Sequence, residues 1–217
     1  MATLRAAKLV HEPLQERSRA TLERIVSATE SLLDEKLFEE LTIVEIVRRA
    51  KTSVGAFYER FDSKDALLPY LYRRYDQNLG PRIALHIAPE QWKGVPLAGR
   101  IARLVSTMVS MYRQRRGLLR AVALYSRSNP AAAKLLPHEK RSALYEQISA
   151  LLLECRDEID HVNPRQAVQF GFFFAAAACR DKILFEEAPH PASVKVSDKQ
   201  LADELTLALI RYLGAKQ

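Results

Sequence analysis

The chain has 217 residues, enough for one large domain or two small ones, and its 48% hydrophobic content supports a sizeable core. No apolar run approaches the roughly 20 residues of a membrane span, no secretory-type segment opens the chain, and Cys155 and Cys179 form no C-x-x-C pattern, so the pattern argues against a membrane protein or a disulfide scaffold and for free thiols in a reducing cytoplasm. The net charge of +7 is concentrated in the middle: residues 81–135 hold ten basic residues against one acidic, residues 1–80 balance, and residues 136–217 carry −2.

The apolar positions Leu22, Ile25, Val26, Leu32 and Leu33 form the i, i+3, i+4, i+7 stripe of an amphipathic helix ending near Leu37. "TIVE", Thr42–Glu45, is a capping-box pattern that opens a short helix with Ile43, Ile46, Val47 and Ala50 on one face. Ser53 is placed to cap a third helix and Ser63 a fourth, which "NLGP" at Asn78–Pro81 should end. Pro96 should open a fifth at its first turn, running through Ile101, Leu104, Met108 and Tyr112 until Gly117 interrupts it. After a turn at Ser128–Pro130, a long helix is expected from about Pro137 to Ile159. Asn163-Pro164 opens another that runs to about Glu186, and Ser197 caps a last one that Gly214 stops. With about nine or ten helices and no convincing strand, the expected fold class is all-α.

Two short helices joined by "KTS" after a capped, apolar-faced helix form a helix-turn-helix pattern. Its second helix, in "TSVGAFYERF", carries Val and Gly, poor helix formers, and three aromatics. Phe57 and Phe61, four apart, share a face that packs inward. Gly55 and Ala56 leave the other face small enough for the backbone to approach base edges, and Tyr58 lies beside it within reach of a phosphate. Lys64 begins the next helix, whose N-terminal amides add partial positive charge. The charges are arranged to match: residues 1–24 carry +2 and residues 48–64 carry +3, while residues 25–47 carry −5.

"LTIVEIVRRA", the "S-x-G-x-F-Y" run Ser53–Tyr58 and "F-x-S-K-x-A-L" from Phe61 to Leu67 closely resemble the N-terminal domain of TetR-family transcriptional regulators. The resemblance covers residues 20–68. It implies that Thr42, Ser53, Tyr58 and Lys64 contact phosphates and that Val54, Gly55 and Ala56 face bases. Where the family usually has "A-G-V-S", this chain reads "A-K-T-S" at Ala50–Ser53, so Lys51 stands where a glycine would adopt a left-handed conformation without strain. The base-facing trio offers only apolar contact. Base choice therefore calls partly on Lys51, Arg60, the basic arm or DNA shape, and Thr52 completes the DNA-binding candidates. The implied domains are a basic arm (1–17), a helix-turn-helix domain (18–66) and a ligand-binding and dimerisation domain (67–217).

Phe170–Phe185 is apolar nearly all round and must be buried on several sides. The resemblance implies that the last two long helices pair with their copies in a homodimer, with Phe170, Phe174, Ala178, Leu205 and Leu209 as interface candidates. Met108, Met111, Tyr112, Arg116 and Tyr125 are candidates for an effector pocket, since Met and aromatic side chains suit adaptable apolar sites. The basic segment, with Arg113, Arg116 and Arg120, is read either as a solvated face or as the seat of an anionic effector. Glu146, Glu154 and Asp157 are the carboxylates expected as rival partners. The five histidines form no H-x-x-x-H or H-E-x-x-H pattern, and no P-loop or G-x-S-x-G occurs, so no catalytic site, metal or cofactor is expected. The leading expectation is a homodimeric regulator on a double-stranded DNA operator, a repressor released by a small-molecule effector. Its rivals are a ligand-independent DNA-binding regulator and an all-helical ligand-binding protein or enzyme.

Overall fold

The computed structural model describes residues 16–84, 87–130, 136, 139–188 and 190–214. The expected basic arm, apart from its last two residues, and the helix start at Pro137 lie outside them. Among the described residues there are nine α-helices and no strand: α1 Glu16–Glu35, α2 Ile43–Arg49, α3 Val54–Tyr58, α4 Leu67–Ala84, α5 Leu97–Gln114, α6 Arg116–Ser128, α7 Glu139–Leu153, α8 Pro164–Cys179 and α9 Asp198–Leu213. No helix there is long and apolar enough to cross a membrane. The helices group into two compact units that are not separated by one cut in sequence. The first comprises residues up to Tyr75 together with Gly117–Pro137, and the second comprises Asp76–Arg116 and His138 onward.

In the first unit, Leu22, Ile25, Leu33, Ile46, Phe57, Phe61, Leu67 and Leu71 are buried in one core, which also takes Leu118, Ala121 and Val122 from α6. Thr42 accepts the Glu45 amide while Glu45 reaches back to the Thr42 amide, so the capping box forms as its spacing dictates. Arg49 clamps α2 to α1 through both oxygens of Glu35, at 2.8 and 3.0 Å. Arg120 donates from α6 to the Leu33 carbonyl at 3.1 Å.

In the second unit, α9 packs along α5 and against α8, and α7 also packs on α8. Arg100, buried, donates to the carbonyls of Trp92, Val95 and Leu151 and to Glu154, tying the start of α5 to the end of α7. Asn163 caps α8, and Ser197 forms a capping box with Gln200 at α9. Gly214 ends α9 at φ 66°, the left-handed conformation a glycine adopts without strain.

Four boundaries differ from expectation. The fourth helix runs through Pro81 to Ala84, because proline removes one amide donor but has a helical φ. Ser63 makes no side-chain cap bond and precedes a 3-10 turn, Lys64–Ala66. Pro96 stands before the first turn of α5, where the Leu97 amide is satisfied by Glu158 at 3.0 Å. The long helix expected to reach Ile159 gives way after Leu153 to a 3-10 turn at Arg156–Glu158. α8 continues beyond Cys179 as a π-helical turn, Arg180–Leu184.

Candidate nucleic-acid interface

Helix α3 is only five residues long, and its environment sets its direction. Phe57 and Phe61 are fully buried with ring centroids 5.4 Å apart, and they anchor the inner face. Tyr58 is 51% exposed and packs edge-on to Phe57 at 5.6 Å, leaving its hydroxyl end outside the core. Val54 and Gly55 are exposed and Ala56 is half-buried, so the three small residues form one outward face. Ser53 accepts the Ala56 amide at 3.1 Å. Thr42, Ser53, Val54, Gly55 and Tyr58 thus emerge from one helix-turn-helix, with Lys51 and Thr52 at its turn.

Lys51 adopts φ 51° and is the only non-glycine residue with positive φ among the described residues. The left-handed conformation costs a side-chain-bearing residue about 1 kcal/mol relative to glycine. The turn geometry therefore survives the loss of the glycine, with strain. The Lys51 side chain is exposed and has no partner among the described residues.

The other two cations expected at this surface are held inward. Arg60 is buried and donates to the Ala56 carbonyl at 2.5 Å and the Ser18 hydroxyl at 2.9 Å, which pins α3 to the start of α1. Lys64 Nζ donates to the carbonyls of Phe38, Glu39 and Leu41 at 2.9, 3.1 and 2.9 Å and lies over the Phe38 ring. An ammonium has three donors, and all three are engaged. In this conformation Lys64 braces the loop before α2 and offers no donor to a phosphate. Arg24, which no sequence pattern singled out, is exposed on α1 and reaches within 3.5 Å of the Lys51 carbonyl.

The five effector candidates fall in different units. Met108 is buried, and Met111 and Tyr112 are half-buried on α5 in the second unit, whereas Tyr125 packs on the core of the first. Burial pushes the Tyr112 phenol well above its ordinary pKa. A groove of about 630 Å³ between α5 and α9 is lined by Ala102, Ser106, Val109, Ala202 and Thr206 and by Arg113 of the basic segment, but by none of those five.

Arg113 and Arg116 of the basic segment pair with carboxylates the sequence did not single out. Arg113 binds Asp198 bidentately at 2.8 Å and Glu186 at 2.9 Å. Its bond to Asp198, and secondarily that to Glu186, raises its pKa, and the same Arg113 bond lowers that of Asp198. Arg116 donates to the Ile183 carbonyl and pairs with Glu186 and Glu187. Glu186, Glu187 and Asp198 thus take the role expected of Glu146, Glu154 and Asp157, although Glu154 does pair with Arg100.

Of the interface candidates, Phe170 and Phe174 are exposed on α8 and Ala178 is half-buried. Leu205 and Leu209 are buried within their own unit, because they lie on the inward stripe of α9 with Leu201 and Leu213. Phe173, which no sequence pattern singled out, is the most exposed aromatic among the described residues, at 65%. Phe170 lies 6.1 Å from Phe173 and 5.8 Å from Tyr212 of α9, so the rings form a continuous apolar surface.

Residues 25–71 match the family model described as "Bacterial regulatory proteins, tetR family". A search of curated protein sequences finds no match. Among solved structures, the chain is similar to a bacterial regulatory protein in the tetR family from Rhodococcus RHA1, with TM-score 0.67, 16% identity, and 92% of this chain and 99% of that one covered. It is also similar to the transcriptional regulator FadR from Bacillus subtilis in complex with stearoyl-CoA, with TM-score 0.65, 15% identity and coverage of 90% and 100%. A third is the MbdR regulator from Azoarcus sp. CIB, with TM-score 0.64, 14% identity and coverage of 91% and 99%. Residues 25–71 of this chain thus match the N-terminal model of the tetR family of bacterial regulatory proteins, and the chain as a whole has the fold of the solved tetR-family regulators it resembles.

Proposed function

We propose that this protein is a homodimeric transcriptional repressor that leaves its double-stranded DNA operator when a small-molecule effector binds. The observation that carries the reading is the outward face of the helix-turn-helix. Thr52, Ser53 and Tyr58 supply hydroxyls to phosphates, Thr42 caps the helix beside them with its own hydroxyl on Glu45, and Val54, Gly55 and Ala56 form a face small enough to approach base edges. Two such heads in a symmetric dimer would enter successive major grooves roughly 34–36 Å apart. The effector would favour a conformer whose heads are misplaced, which requires only a few kcal/mol of differential affinity.

The stearoyl-CoA bound to FadR makes acyl thioesters the first compounds to try. The pairing of Arg113 and Arg116 with carboxylates counts against those two arginines as the seat of an anionic effector, so neutral apolar compounds are tried beside the thioesters. Footprinting on the DNA flanking its own coding region tests the DNA reading, and protection of a two-fold symmetric site is expected. Repeating it with acyl thioesters and neutral apolar compounds tests release. Protection that no compound relieves favours a ligand-independent regulator, and no protection anywhere counts against the proposal.

A further inference from the structure

We propose that Arg24 and Lys51 form a phosphate clamp at the turn of the helix-turn-helix, and that this pair, rather than Lys64 or Arg60, is the cationic anchor of the DNA surface. The inference rests on the DNA-binding reading above and deepens it. Its first support is the backbone at Lys51. A left-handed φ of 51° is where glycine fits and a lysine is strained, and among the described residues the lysine head has no partner that would offset that strain. Residues held in such conformations cluster where the side chain serves binding or catalysis.

The second support is the neighbour. Arg24 projects from α1, a different element, and its guanidinium lies 3.5 Å from the Lys51 carbonyl and 3.1 Å from the Thr21 hydroxyl. Neither cation pairs with a carboxylate among the described residues, although the adjacent Glu23 is near enough to α4 to pair with Arg74 at 2.6 Å. The Arg24 guanidinium thus sits at the backbone of the turn that carries the Lys51 ammonium, and a phosphate at that turn is attracted by both charges. The third support is the removal of the competitors: all three donors of Lys64 are on backbone carbonyls, and Arg60 is buried on Ser18 and Ala56. On a DNA-binding surface the anion that arginine and lysine most often meet is a backbone phosphate.

The test measures DNA affinity by fluorescence anisotropy over a range of salt concentrations. Two probes are used: a mixed-sequence duplex, and a duplex selected by the parent protein from a random-sequence pool. Lys51→Gly is the informative variant because it should raise the thermal midpoint by relieving strain while weakening binding to both duplexes. Its slope of log affinity against log salt should fall by about one, that of Arg24→Gln by about one, and that of the double variant by about two. Lys93→Met, which removes an exposed cation in the second unit, should leave the slope unchanged. Lys51→Gly and Arg24→Gln with parental slopes overturn the clamp. So does a loss confined to the selected duplex at unchanged slope, which means that Lys51 reads a base. A parent protein that binds neither duplex overturns the DNA-binding reading itself.

Discussion

Glu45 joins three partners through one carboxylate: Lys36 Nζ at 2.5 Å, the Thr42 amide at 3.0 Å and the Thr42 hydroxyl at 2.9 Å. The Lys36 pair first, and then the two Thr42 bonds, hold its carboxyl at about 2 against an ordinary 4.5. A depressed folded-state pKa adds stability that is complete above the unfolded value and disappears as pH falls through the folded one. Glu45→Gln should therefore be less stable than the parent at pH 6, and the gap should close as pH falls from about 5 to about 2. Urea unfolding at pH 6 and pH 2.5 measures it. A gap of constant size would show that the ionised carboxylate is not the stabilising form. At this scale, what was legible depends on range. The caps at Thr42, Ser53, Asn163 and Ser197 bond three residues ahead, and Phe57 and Phe61 are set by a spacing of four, so the sequence exposes them. Lys64 and Arg60 choose acceptors 26 and 42 residues away, and no local pattern encodes that choice.

At the scale of elements, the break between α5 and α6 shows why position and reason must be separated. A break was expected at Gly117, and one occurs close by, but the residue that leaves helical geometry is Arg115, at φ −121° and ψ 24°. Gly117 lies inside α6, where an added Cβ would sit 2.5 Å from the Leu33 carbonyl oxygen and 2.5 Å from Asp34 Oδ1. The glycine is there so that α6 can approach the end of α1 within the first unit. In an exposed helix interior, Gly→Ala would stabilise by about 1 kcal/mol. Here a backbone carbonyl must move, and overpacking costs about 1–3 kcal/mol, so the clash outweighs the propensity. Gly117→Ala is expected to lower the thermal midpoint of the first unit; a raised midpoint would mean that the α1–α6 contact yields freely. The same logic explains α8. Its composition announces burial on several sides but cannot rank them, and only the packing of α7, α9 and α5 determines that Phe172 points in and Phe173 out.

At the scale of the whole molecule, the proposed assembly turns on the exposed aromatic surface of α8 and α9. Phe170, Phe173, Phe174 and Tyr212 are each between 41% and 65% exposed, although large aromatics dominate core energetics when buried. Exposed apolar patches of this kind mark association surfaces, and interface cores are enriched in aromatics. A second copy of the chain is the proposed occupant. In a two-fold interface each residue occurs twice, so Phe173→Glu combined with Phe174→Glu would bury four carboxylates without partners, each costing several kcal/mol. The double variant should sediment as a monomer at concentrations where the parent is a dimer, and its operator affinity should fall because the two heads are no longer linked. Leu209→Ala provides the contrast. Leu209 is buried inside the protomer, so its truncation should lower the thermal midpoint, at about 2–5 kcal/mol for a core leucine, while leaving the dimer intact below that midpoint. Sedimentation equilibrium on all three proteins separates a surface that joins copies from a core that holds one together. An intact dimer in the Phe173/Phe174 double variant would remove this face from the interface, and a monomer produced by Leu209→Ala alone would place the interface on the stripe that the structure buries.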